Sequence, residues 1–185
     1  MCGLTEQAES SHYRMLPHWE KAKAAARAAV ARGDDLIVTI MLGTNDADTL
    51  DYGYTLRGEA FENAYRAKFH KEYFFLIDTL RAIAPMAKFV FVRSPYSYDS
   101  MKHAAFGNLP AVWNWQDEVF AQAKKNKIFS TVLDMGAATS PSVMSSETLL
   151  KVYFQDRLHP NDVGYLYFAH FFYNAIMLLA ENQER

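Results

Sequence analysis

Two short segments carry the chain's clearest chemistry. The first is Asp156-Arg157-Leu158-His159-Pro160-Asn161-Asp162. A histidine works as a general base when its pKa lies near the working pH and one ring nitrogen is held in a fixed tautomer. A nearby carboxylate that accepts from that nitrogen fixes the tautomer and stabilises the imidazolium that forms. Asp156 and His159 are spaced to act as such a base and orienter. Pro160 stiffens the exit, and Asn161 or Asp162 can cap a following helix. The second segment is Gly43-Thr44-Asn45-Asp46. The Asn45 amide can donate to a developing oxyanion, an interaction worth ~3–4 kcal/mol in a transition state. Gly43 and Asp46 flank it as candidate substrate contacts. Asp46 also suits a purely structural role, satisfying backbone groups of the turn.

These residues need a scaffold that brings them to one place. Pro17 opens and Gly33 closes a stretch rich in strong helix formers. The apolar run from Asp35 to Leu42 is short and β-branched, which predicts a strand buried on both faces. A loop follows from Gly43 to about Gly58. A helix is predicted over Glu59 to Ala84, stopped by Pro85, with Tyr73, Phe74, Ile77, Leu80 and Ile83 at helical spacing. Lys88 to Arg93 predicts a second strand, Leu109 to Asn126 a helix, and Phe129 to Met135 a third strand ended by Gly136. The last helix runs from about Asn161 to Glu181. Alternating helices and strands imply an α/β fold: a parallel sheet with helices on both faces. Ligands on such sheets bind beyond the carboxyl ends of the strands, and both Asn45 and His159 follow strands.

Taken together, the two segments and their separation resemble the third and fifth blocks of the SGNH (GDSL-like) hydrolases. The likeness extends from about Leu16 to the C-terminus and implies a three-layer, flavodoxin-like fold. It further implies ester hydrolysis through an acyl-enzyme, on a small-molecule or carbohydrate ester, with no metal or organic cofactor. His159 is then the base, Asp156 its orienter and Asn45 an oxyanion donor. The family's serine turn and its glycine block have no counterpart here, because the sequence contains neither Gly-Asp-Ser nor Gly-x-Ser-x-Gly. Ser94 follows a strand but lacks the tight turn that exposes a nucleophile, so the nucleophile is unassigned. The chain is therefore expected to be N-terminally incomplete, a degenerate relative that only binds, or a subunit completed by a partner. If the family's first strand is absent, Leu36–Leu42 becomes an open apolar edge able to pair copies into a homo-oligomer.

Composition narrows the remaining classes. The 185 residues are half hydrophobic and 15% aromatic, enough for one well-filled domain. A net charge of -2 excludes a general nucleic-acid footprint. Cys2 is the only cysteine, so there is no intrachain disulfide. The first ten residues lack a signal-peptide pattern, and the compartment stays unassigned. His170 and Asn174 interrupt the longest apolar stretch, Tyr165 to Ala180, which argues against a membrane span. His170 is expected as a hydrogen-bonded core residue. His12, His18, His70 and His103 show no metal-ligand spacing. Arg93 and Arg57 are candidates for an anionic substrate group. Tyr96, Tyr98, Phe106, Trp113 and Trp115 suit either a core or a carbohydrate-stacking rim.

Overall fold

The computed structural model describes residues 16–44, 46–47, 58–96, 109–143, 145–155 and 159–181. Helix α1 covers Leu16–Arg32 and strand β1 Ile37–Ile40. Helix α2 covers Glu59–Ile83, β2 Lys88–Arg93, α3 Leu109–Lys125 and β3 Ser130–Asp134. A short helix α4, Met135–Ala138, follows β3 directly. Another, α5 at Ser146–Thr148, leads into a π-helical turn at Leu149–Tyr153. The long α6 spans Asp162–Glu181.

Local chemistry explains the boundaries. After α1, Gly33 takes a positive φ of 77° and its N–H reaches the Val30 carbonyl at 3.0 Å, a left-handed helix stop that glycine adopts without steric cost. At the end of β3 the Asp134 carboxylate accepts from the Ala137 N–H at 2.8 Å, so the strand is converted at once into α4. That is why β3 stops before Met135, which the sequence pattern assigns to the strand.

The three strands are parallel and ordered β1-β2-β3. Central β2 is almost wholly buried. Its side chains alternate between two cores, as the two-residue period of a strand requires. Phe89 and Phe91 join Ile40 beneath α1, α2 and α3, packed against Trp19, Tyr73, Val112 and Phe120. The Phe91 and Phe120 rings stack with centroids 5.1 Å apart. Val90 and Val92 join Leu133 and Met135 on the opposite face, packed against Phe168, Ala175 and Leu179 of α6. This is the expected three-layer α/β architecture, with helices on both faces of a parallel sheet.

The layers are unequal. Three helices share the core on one face, and α6 is the long helix on the other. β1 keeps only four residues, and its burial falls from the expectation of a strand covered on both sides: Ile37 and Val38 are half-buried and Thr39 is exposed. Among the described strands β1 pairs with β2 alone, which accounts for the difference. α6 is apolar nearly all round, yet Tyr165, Leu166, Tyr173 and Leu178 are exposed. His170 is exposed too, 3.3 Å from the Asn174 amide, and not the core residue that the apolar surroundings predict. By length and composition alone, α6 is apolar enough to cross a membrane despite His170 and Asn174, but Gly164, Phe168, Ala175 and Leu179 pack it onto the sheet.

Candidate active site

The carboxyl ends of the three strands form one edge. Beyond β1 the chain leaves the ladder at Met41 and turns at Gly43, whose carbonyl accepts from the N–H groups of Asp46 at 3.0 Å and Ala47 at 3.3 Å. Gly43 has φ 131°, and a Cβ there would lie 2.8 Å from Val112 Cγ1 and 3.0 Å from Gln116 Nε2. Both the backbone angle and the close approach of α3 thus require glycine.

Two helices hold this turn through side chains. From α3, the fully buried Gln116 donates through Nε2 to the Leu42 carbonyl at 2.6 Å and to Ser94 Oγ at 3.1 Å. Its Oε1 accepts from the Ser94 N–H at 3.3 Å. From α2, the Tyr65 hydroxyl donates to Asp46 Oδ1 at 3.0 Å, and Asp46 is only 3% exposed. Burial, and then the negative charge of Asp46, push the Tyr73 hydroxyl well above the usual tyrosine pKa. That phenol donates to the Ile40 carbonyl. Asp46 is thus buried beneath the turn, where it accepts from Tyr65. Asn45 lies outside the described residues.

Past β2 and β3 the edge is tied by further side chains. Arg93 is no free anion site. Its guanidinium donates to Asp134 at 2.5 Å and to both oxygens of Asp117 at 2.5 and 2.6 Å. Burial pulls its pKa down, but the Asp117 hydrogen bond and the charges of Asp134 and Asp117 outweigh that and raise it. Arg57 lies outside the described residues. Trp113 and Trp115 belong to α3. Trp115 is core, whereas Trp113 donates to the Ser94 carbonyl at 2.9 Å and meets Tyr96 edge-on, with centroids 4.8 Å apart. Tyr98 and Phe106 lie outside the described residues. The Tyr96 N–H reaches Thr139 Oγ1 at 2.7 Å, linking the β2 exit to α4.

The His159 segment is built differently. Among the described residues its closure combines main-chain bonds with the Asn161 side chain. Phe154 and Pro160 form an antiparallel bridge, and the Gln155 N–H donates to the His159 carbonyl at 3.0 Å. The Asn161 N–H donates to the Tyr153 carbonyl at 2.9 Å. Asn161 also caps α6 as expected: its Oδ1 accepts from the Gly164 N–H at 2.9 Å, while its Nδ2 donates to the Val152 carbonyl at 2.9 Å. Gly164 comes so close to Tyr153 that a Cβ would lie 2.1 Å from that carbonyl oxygen. The Tyr167 hydroxyl then anchors the start of α6 to the Ala138 carbonyl of α4 at 3.0 Å. This puts the segment at the same carboxyl edge as the Gly43 turn. The His159 side chain is exposed. Asp156 lies outside the described residues.

Each described serine whose side chain is placed has a local partner. Ser94 is buried against Gln116, and Ser130 donates to the Ile128 carbonyl at 3.1 Å. Ser140 and Ser142 bond to each other, and Ser145 caps α5 by accepting from the Thr148 N–H at 3.1 Å. Among the described residues, no group of three or more His, Cys, Asp or Glu is arranged to hold a metal ion.

Sequence reasoning missed Gln116 and Tyr65. A signal for each was present. Gln116 is a lone amide within the apolar stripe Val112, Val119, Phe120 and Ala123, and Tyr65 continues the stripe of Phe69 and Tyr73 by one turn. A polar group on a buried stripe implies a partner in the core.

A model of the GDSL-like Lipase/Acylhydrolase family matches residues 4–166. No curated protein and no solved structure matches the chain.

Proposed function

The chain belongs to the GDSL-like lipase/acylhydrolase family, and on that premise we propose that it serves the hydrolysis of a small-molecule or carbohydrate ester. In this reading His159 takes the proton of a serine hydroxyl as that oxygen attacks the ester carbonyl, and later gives it to the departing alcohol. Asp156 holds the imidazole in the required tautomer. Asn45 donates to the oxyanion of the tetrahedral intermediate. Water then attacks the acyl-serine by the same route, releasing the acid. The observation that carries the reading is the coincidence of the Gly43 turn and the His159 segment at one carboxyl edge in a chain of this family.

Fluorophosphonate labelling tests it, with the modified residue mapped by mass spectrometry. Hydrolysis by this chain predicts one labelled serine, with labelling lost in His159→Ala. A folded chain that takes no label and cleaves no p-nitrophenyl acetate would overturn hydrolysis by this chain. It would favour a second reading, a binding domain that keeps the edge but performs no chemistry. The local engagement of Ser94, Ser130, Ser140, Ser142 and Ser145 speaks for that alternative.

A further inference from the structure

We propose that Gln116 is a positioning residue whose amide locks the Gly43 turn to the end of β2. The inference rests on the reading of that turn as the oxyanion element. Gln116 is fully buried, and both ends of its amide are used. Its NH2 bridges the Leu42 carbonyl at 2.6 Å and Ser94 Oγ at 3.1 Å, while its carbonyl takes the Ser94 N–H at 3.3 Å. Leu42 and Ser94 sit just past neighbouring parallel strands, where the ladder has ended and their polar groups need other partners. One side chain from α3 replaces the missing rung of the sheet. The same amide lies against Gly43, where even a methyl group has no room. The turn is thereby fixed relative to β2 before any substrate arrives. A donor that is already oriented does not have to reorganise when charge develops.

Leucine or alanine at 116 would change packing as well as bonding. Methionine nearly keeps the volume and removes all three hydrogen bonds. The full chain with Gln116→Met should therefore show backbone amide exchange at residues 43–47 and at Ser94 at least ~10-fold faster than wild type, with β3 rates unchanged. Equal acceleration at the turn and β3 would mean that Gln116 merely supports global stability, and no acceleration at the turn would likewise overturn the proposal. Should the methionine variant fail to fold, Gln116→Glu offers the same comparison. It keeps the acceptor for the Ser94 N–H and, measured at a pH where the carboxyl is ionised, loses the donor to Leu42.

A second readout separates this inference from the reading beneath it. Acetate, a carboxylate mimic of the oxyanion, is titrated while the Asn45 side-chain amide is followed by NMR. A shift in wild type that weakens at least ~10-fold in Gln116→Met supports positioning. An equal shift in both proteins overturns it. A silent wild type, combined with a selectively loosened turn in the variant, sinks the oxyanion reading of Asn45 and leaves the lock standing.

Discussion

The Gly43 turn and the His159 segment reach the same edge of the sheet by opposite means. The turn is buried and is held by side chains from helices far away in sequence: Tyr65 from α2, Gln116 and Val112 from α3. The segment presents an exposed histidine. Among the described residues it is closed by main-chain bonds between Tyr153 and Asn161, by the Asn161 amide and by the Tyr167 anchor to α4. Contacts from a core resist displacement because every member is packed on several sides. A locally closed loop can open without disturbing the sheet. On the function proposed above, the turn would carry an oxyanion donor, which needs the first property because its value depends on prior orientation. The segment would carry a base, which tolerates the second.

The comparison can be broken most forcefully at Gly164. Alanine there drives a methyl group into the Tyr153 carbonyl, and neither backbone segment can yield cheaply. Urea denaturation should show a loss of about 3 kcal/mol or more. Hydrogen exchange should rise first around residues 153–161 while the Gly43 turn stays protected. A loss below about 1 kcal/mol would mean that backbone approach does not hold the segment. Next in size is Tyr65→Phe, which strips a donor from the buried Asp46 carboxylate. A loss of about 1.5–3 kcal/mol is expected, with faster exchange confined to the turn. Equal loosening at His159 would show the two regions to be one unit. Asn161→Ala removes the α6 cap and should cost about 1 kcal/mol, read by the same denaturation and localised to the start of α6 by exchange.

The smallest effect concerns the clamp between α2 and α3, the helices that hold the turn. His70 and Arg66 of α2 share Glu118 of α3, with His70 Nε2 at 3.0 Å and Arg66 Nε at 2.9 Å. Burial lowers the His70 pKa; Glu118 pulls it up and Arg66 adds to the lowering, leaving it below the ordinary histidine value. The unfolded chain then binds more protons than the folded one, so stability rises with pH through this interval and falls on acidification. His70→Gln should flatten that slope between about pH 5 and 7, seen as a smaller change in melting temperature. An unchanged slope would remove His70 from the account.

The same contrast explains what the sequence made legible. The string from Pro160 to Gly164 is readable because its partners lie within it or a few residues upstream: Asn161 caps Gly164, and Pro160 bridges Phe154. The order of helices and strands was equally legible, since local periodicity sets it. Partners distant in sequence were not. Nothing near Leu42 announces that its carbonyl will meet Gln116 instead of a strand, so β1 was expected to run longer than Ile37–Ile40. Arg93 looked available because Asp117 and Asp134 come from two other elements. The apolarity of its helix points His170 into the core, but that property cannot say which side a sheet will cover.

The uncovered side of α6 also shapes how the whole chain melts. Heat-capacity change and denaturant sensitivity scale with the surface that unfolding newly exposes. Leu166 is already 73% exposed in the folded chain, and Tyr173 62%. An ordinary globular domain of 185 residues gains about 2.2–2.8 kcal/mol/K on unfolding. This chain should fall toward the low end of that range. Its stability curve is therefore flatter, with a shallower decline away from the temperature of maximum stability, so the face that leaves α6 half bare also makes the fold less sensitive to temperature.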